Sequence, residues 1–414
     1  MKKLLLAVLS RQFQKYYRRY FQLNHPKIVV VAGSVGKTGT KDAIATILSE
    51  RFRTRVNKGN LNNGAAVPIT MMGVDYPENM GLSAWLKALQ KCRQKSKTKD
   101  NIEVIVQELG IDHPGEMSEF GRYISADIAV LTAITTEHME YFKTIEVVAL
   151  EELDVRKFSD TVLMNNDAVD KKYFRTEDLS YGASGNYRFE ILGGLPLDGW
   201  KVKFLSGEKT VEAKIQLVGK HNLQAALAGA AVGDLLGMDS DEIRRGLEKV
   251  TATNGRMNLL KGINGSILID DSYNSNPESA KASLEVLYSI DAPQRIAILG
   301  SMNELGEKSE EYHREVGNFL NGEKLAAVIL VGEMAHKWFY PEAKKRVNKV
   351  ILAKDAAEAG KICAELAQKD TVILAKGSQN GVYLEEAIKE LLADKSDAKF
   401  LVRQSGKWLK TKNN

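Results

Sequence analysis

The chain has 414 residues, 44% of them hydrophobic and 27% charged, with a formal net charge of +5. That length exceeds one ordinary core and implies two or three domains, in a composition typical of soluble globular proteins. The mild charge argues against a nucleic-acid-binding face; two cysteines far apart, Cys92 and Cys363, fit neither a disulfide framework nor a zinc site and point to a reducing compartment, the cytoplasm.

The opening "MKKLLLAVLS" starts like a secretory signal, but the apolar run stops at Arg11 without a small-residue cleavage site. It is also too short to span a bilayer. Read as a helix within residues 1–26, it sets Leu4, Leu5, Val8, Phe13, Tyr16, Tyr17 and Tyr20 against Lys2, Lys3, Arg11, Lys15, Arg18 and Arg19. Such a basic amphipathic segment either packs on the domain that follows or makes peripheral contact with an anionic membrane surface.

From Lys27 onward, β-rich runs alternate with helical stretches. "KIVVVAG", "IEVIVQELG", "ADIAVLTAI" and "DTVLMNND" read as buried strands of a parallel sheet, the α/β signature. Between Tyr187 and Val218 the pattern alternates, which predicts a small antiparallel appendage. An alanine-rich helix and a second helix capped by Ser240 complete a central domain over 27–252. After "TATNGRM" a second, Rossmann-like α/β domain spans 253–414. Its expected strands are "SILIDD", "QRIAILG", "AAVILVG", "TVILAKG" and "KFLVRQ", with helices near 278–289, 308–320, 355–368 and 382–393.

Gly33-Ser34-Val35-Gly36-Lys37-Thr38 lies between the first strand and a helix and reads as a short P-loop, with two residues between its glycines. The glycines admit a phosphate to the backbone, Lys37 neutralises it, and the Thr38 hydroxyl suits Mg²⁺. Acidic partners are Glu108, closing a buried strand, and the group of Glu137, His138 and Glu140 after the next one. In the second domain, "ILIDDSYNSNPES" ends an apolar strand on two aspartates, where buried acids call for cations or hydroxyls. Arg256, with its fixed charge and forked donors, suits a γ-phosphate.

These stretches, with "GNLNNGAAVPIT", "GKHNLQAALAGAA", "ILGSMNELGEKSEEYHREVG" and "AKGSQN", resemble the Mur ligase family of ATP-dependent amide-bond-forming enzymes. The likeness runs from about residue 28 to 380. "DDSYNSNP" and "MNELGEKSEEYHREVG" bring it nearest to the branch that adds D-alanyl-D-alanine to a muramyl peptide. The resemblance implies that ATP phosphorylates a carboxylate and that an amine captures the acyl phosphate. It also implies a cytoplasmic, monomeric enzyme acting on a small-molecule carboxylate and amine, with no nucleic-acid partner.

Position by position, the resemblance gives Gly33, Ser34, Val35, Gly36, Lys37 and Thr38 to the phosphates, and Thr38, Glu108 and His138 to Mg²⁺. Asn62 or Asn63 falls on the nucleotide-side loop, and His221 and Asn222 on the adenine. Arg256 falls on the γ-phosphate; Asp271, Asn274 and Asn276 border ribose and adenine, and Lys376 covers the active site on closure.

Two departures stand out. Where the family carries a carbamylated lysine beside its second magnesium, this chain has Glu152, with Glu151 beside it. A glutamate offers the same anionic oxygens on a shorter arm. The family's amino-terminal uridine-binding domain is also expected to be absent, which leaves open a non-uridine or lipid-linked acid substrate. A non-catalytic ATP-binding scaffold is the alternative from another class, and a plain P-loop ATPase would leave "DDSYNSNP" without a task.

Overall fold

The computed structural model describes residues 2–412 apart from Asn60, 78–80, Glu137 and Glu208, and side chains from Leu9 onward except that of Lys407. The chain divides into two compact units. One comprises Met1–Gly194, Trp200–Gln216 and His221–Thr251; the other comprises Leu195–Gly199, Leu217–Lys220 and Ala252–Asn414.

The first unit is built on a nine-stranded sheet. Its strands are β1 Lys27–Ala32, β2 Thr54–Val56, β3 Val104–Glu108, β4 Ala126–Leu131, β5 Ser159–Asn165, β6 Leu179–Tyr181, β7 Tyr187–Leu195, β8 Gly199–Ser206 and β9 Lys209–Ile215, in the order β2-β3-β1-β4-β5-β6-β7-β8-β9. Strand β1 pairs in parallel with both β3 and β4, and Ile28 to Ala32 are all fully buried. That is why "KIVVVA" is a continuous apolar run with no polar face: both sides of the strand are covered. The antiparallel strands β8 and β9 extend this same sheet beyond β7.

The helix Lys2–Asn24 buries Leu9, Phe13, Tyr17 and Tyr20 in the core of this unit, Phe13 against Trp85 and Tyr17 edge-on to Tyr123. Each large side chain so covered is worth about 1.5–3 kcal/mol. From Leu9 onward, then, the apolar face of the helix is spent on its own domain, while Arg11, Lys15, Arg18 and Arg19 stay exposed. The side chains of Lys2, Lys3, Leu4, Leu5 and Val8 lie outside the described residues. Among the described residues no helix is long and apolar enough to cross a membrane.

One expected cap is displaced. Helix Ser240–Lys249 is capped by Asp239, which accepts from the Glu242 N–H at 2.8 Å while Glu242 accepts from the Asp239 N–H at 2.9 Å. Its carboxylate serves the helix N-terminus better than the Ser240 hydroxyl because it also meets the positive end of the macrodipole.

The second unit has β10 Asn258–Lys261, β11 Ile267–Asp271, β12 Arg295–Gly300, β13 Ala327–Val331, β14 Val350–Ala353 and β15 Val372–Lys376, ordered β10-β11-β15-β12-β13-β14. All pairs but β10–β11 are parallel. Register places Asp271 beside Lys376, and Lys376 beside Leu299, so three motif-bearing strands end at one edge. The expected strand "KFLVRQ" does not form. Lys395–Phe400 is a 3₁₀ helix, and Arg403 has φ of 54°, outside the extended region.

Candidate active site

In the first unit the chain leaves β1 at Ala32, turns through 33–36 and enters helix Lys37–Leu48. Gly33 has φ of 120°, and a Cβ there would stand 2.4 Å from Thr132 Oγ1 and 2.9 Å from the Ala133 amide, so only glycine fits. Gly36, at φ of 82°, starts the helix. Ser34 N–H donates to Ala133 O at 2.9 Å, and Thr132 Oγ1 donates to Val35 O at 2.6 Å. The ammonium of Lys37 folds back onto the carbonyls of Gly33 and Ser34. Thr38 is buried and Val35 is exposed.

Helix Ile145–Leu153 separates its two glutamates by task. Both oxygens of Glu151 accept backbone N–H bonds at 2.7 Å, from Gly115 and Met117, and so anchor helix Glu116–Gly121. Glu152, fully buried, accepts from Gly33 N–H at 2.8 Å through Oε2. Of the pair, Glu152 therefore faces the glycine turn.

Register puts Glu108 beside Val31, one strand over from that turn. Its N–H donates to Asn57 Oδ1 at 2.9 Å, and its Oε1 accepts from Asn62 Nδ2 at 2.8 Å. Oε2 has no hydrogen-bond partner but lies 3.8 Å from the buried ammonium of Lys41, which donates to Asn57 O at 2.9 Å and Gly59 O at 3.0 Å. Asn62 thus joins the Glu108 cluster. Asn63 is exposed, and its carbonyl accepts from Ala66 N–H.

His138 has φ of 44° at the start of the short helix Met139–Phe142, and its Nε2 lies 3.4 Å from Asp112 Oδ1. Glu140 is exposed, and Glu137 lies outside the described residues. Among the described residues no group of three or more His, Cys, Asp or Glu is arranged to hold a metal ion; Glu108, His138 and Glu152 each lean on a different neighbour. His221 is exposed, and Asn222 precedes helix Leu223–Leu235 without capping it through its side chain.

In the second unit, β11 ends on two buried aspartates. Asp271 pairs with Lys376 at 2.8 Å and accepts from Ser283 Oγ at 2.6 Å, and Lys376 also donates to Asn274 O at 2.8 Å. Asp270 accepts through Oδ1 from both Ser272 N–H and Ser272 Oγ, and its Oδ2 has no hydrogen-bond partner. Burial pushes its carboxyl up to about 6. Asn276 is the cap of helix Pro277–Ser289, accepting from Ser279 N–H at 2.8 Å. The Asn274 side chain is exposed. Arg256, half-buried, lays its guanidinium over the Tyr273 ring at 4.2 Å. Beyond β12, the fully buried His313 of helix Ser309–Phe319 accepts from Met302 N–H at 2.9 Å, with Nδ1 2.6 Å from Ser309 O, and so supports the 302–304 loop; burial pushes its pKa down.

The Mur ligase middle-domain model matches residues 31–233, and the model of the Mur ligase glutamate ligase domain matches 255–379. The chain belongs to the Mur ligase superfamily. Along 391 residues this Mur ligase is 27% identical to the UDP-N-acetylmuramoyl-tripeptide--D-alanyl-D-alanine ligase of Bacillus subtilis, covering 92% of the chain and 79% of that protein. Its fold is shared with MurF from Acinetobacter baumannii, at a TM-score of 0.75 and 23% identity over 93% of the chain and 80% of that structure. It is shared as well with MurF from Thermotoga maritima in complex with ADP, at a TM-score of 0.74 and 23% identity over 92% and 83%. Like its superfamily, the enzyme is an ATP-dependent ligase that forms amide bonds in cell-wall precursor synthesis.

Several residues of this Mur ligase escaped sequence reasoning. Lys41, one turn beyond Lys37, reads as a surface repeat of it, yet it is 1% exposed. Asn57 orients Glu108 from a loop with no strong motif. Arg403 and Glu385 form a buried ion pair behind the aspartate loop, but lie in segments that read as ordinary strand and helix.

Proposed function

We propose that the enzyme adds D-alanyl-D-alanine, or a closely similar amine, to a muramyl-peptide carboxylate through an acyl phosphate. The reading is carried by Glu108, whose buried Oε2 is without a hydrogen bond one strand away from the glycine turn. The 27% identity to the Bacillus subtilis ligase along most of both chains supports the substrate class.

The turn 33–36 with Lys37 and Thr38 acts as the P-loop. Its exposed residues Val35 and Gly36 and the Lys37 ammonium bind phosphate oxygens, the ammonium exchanging the Gly33 and Ser34 carbonyls for them. A hard carboxylate oxygen and a hydroxyl suit Mg²⁺, so Glu108 and Thr38 would hold it, with His138 and Glu152 as further candidates. Bound Mg²⁺ would supply charge neutralisation of the phosphates. Asn62 and Lys41 keep Glu108 aimed, and Glu152 fixes the first amide of the turn. In the second unit we assign Arg256 to the γ-phosphate, Asp271 and Asn274 to the nucleoside, and Lys376 to the reacting carboxylate. His221 and Asn222 are assigned to the adenine; Asn276 contributes by capping its helix. ATP supplies the phosphoryl group that makes the carboxylate reactive, and the amine then displaces phosphate.

The test is phosphate release from MgATP with a muramyl tripeptide, with D-alanyl-D-alanine, with both, and with neither. Release that needs both compounds is expected. Release indifferent to them would make the protein a plain ATPase, and none under any condition would make it a scaffold.

A further inference from the structure

Arg256 is held by stacking on Tyr273, and its Nε is buried without a hydrogen-bond partner. Its position therefore depends on what fixes Tyr273. The Tyr273 N–H donates to Gly255 O at 3.0 Å, which ties the Tyr273 backbone directly to the turn carrying Arg256. The other anchor comes from the carboxy-terminal segment. Arg403 donates through Nη1 to Tyr273 O at 3.0 Å and through Nη2 to Ser272 O at 2.8 Å. Its remaining donors fork onto Glu385, Nε to Oε1 at 2.8 Å and Nη2 to Oε2 at 2.6 Å.

Both members of this pair are buried, Glu385 completely, and Lys412 adds a second cation 2.7 Å from Glu385. Gly255 has φ of 71°, and a Cβ there would stand 2.7 Å from Val402 Cγ1, so the same segment also presses on the Arg256 turn. Arg403 itself has φ of 54°, a left-handed conformation uncommon for a residue with a side chain. The segment accepts that backbone in order to deliver a planar fork to two carbonyls and a carboxylate at once, which lysine cannot do.

We infer that Arg403 is a positioning residue for Arg256: the carboxy-terminal segment clamps Ser272 and Tyr273 so that the ring holds the guanidinium ready for phosphate. This rests on the assignment of Arg256 to phosphate made above. The geometry predicts that loosening the clamp frees the guanidinium without removing it.

Phenylglyoxal labelling of the full-length protein, read at Arg256 by peptide mass spectrometry, measures this directly. Arg403→Lys and Tyr273→Leu are expected to raise the labelling rate of Arg256 about tenfold, between the exposed and desolvated limits of a cation–π contact, as suits a half-buried guanidinium. Tyr273→Phe, which keeps the ring, is expected to stay at the wild-type rate. In calorimetric titration Arg403→Lys should weaken MgATP about tenfold and leave ADP unchanged, in the same direction as Arg256→Gln. If Arg403→Lys does not fold, Glu385→Gln, which weakens the fork and keeps both carbonyl bonds, takes its place in the same assays. A folded Arg403→Lys variant that labels at the wild-type rate overturns the inference. An Arg256→Gln variant that still distinguishes ATP from ADP overturns only the phosphate assignment, because the labelling rates decide the role of Arg403 independently.

Discussion

The glycine turn of the first unit and the aspartate loop of the second are held by different forces. Around Gly33 the partners are backbone amides and carbonyls, two hydroxyls and a single carboxylate, and the one ammonium present leans on carbonyl oxygens. Around Asp271 the chain is fastened by buried charges, Lys376 with Asp271 and Arg403 with Glu385. The first loop is thus held mainly by hydrogen bonds of backbone and hydroxyl groups. A loop built from ion pairs has spent its charges on itself, so changes there should register first as lost stability.

The largest test of that contrast is Asp271→Ala, which leaves the Lys376 ammonium buried without its counter-ion. About 3–5 kcal/mol of unfolding free energy should disappear, read from urea denaturation of the second unit. A loss below about 1 kcal/mol would mean that the pair is solvated and the contrast false. In the first unit, Lys37→Ala should lower the ligation kcat by about 10²–10³ while moving the urea midpoint less than Asp271→Ala does, because the Lys37 ammonium is only part-buried where it turns onto the carbonyls of Gly33 and Ser34. A variant that ligates at the wild-type rate would remove Lys37 from the phosphate site.

A third test uses pH. Asp270 is pushed up from an ordinary 3.8 to about 6 by burial, with Asp271 and Glu385 adding to the effect, although these are themselves paired with Lys376 and with Arg403 and Lys412. The folded chain therefore holds this proton more tightly than the unfolded chain. Its contribution is fully favourable below about pH 4, is lost as pH rises to about 6 and is constant beyond, a change of about 3 kcal/mol. Asp270→Asn should flatten that slope, and an unchanged slope would show that another group causes it. The smallest effect is expected from Asn276→Ala, about 1 kcal/mol from loss of the helix cap, with the KM for ATP unchanged. A raised KM would return Asn276 to the nucleotide.

Much of the first site was legible because its chemistry is local. Glycines, lysine and threonine at fixed spacing after an apolar strand can hardly make anything but a tight strand-to-helix turn, and Glu108 was visible as the acid closing a buried strand. What could not be read was division of labour between like residues. Glu151 and Glu152 are adjacent and chemically identical, yet helical geometry sends one to the amides of Gly115 and Met117 and the other to Gly33. Asn276, expected beside the nucleoside, also caps helix Pro277–Ser289, which its motif alone does not reveal. Arg403, expected within a strand, is the buried anchor of a loop far away in sequence.

The sequence alone determined the α/β alternation, the glycine turn and the strand-end acids, since these follow from side-chain periodicity and backbone freedom over a few residues. Only the tertiary structure decided which charges would be buried together. Lys41 with Glu108, Lys376 with Asp271 and Arg403 with Glu385 are long-range pairs, and no local pattern separates a lysine or arginine bound for solvent from one that must balance a carboxylate in the core.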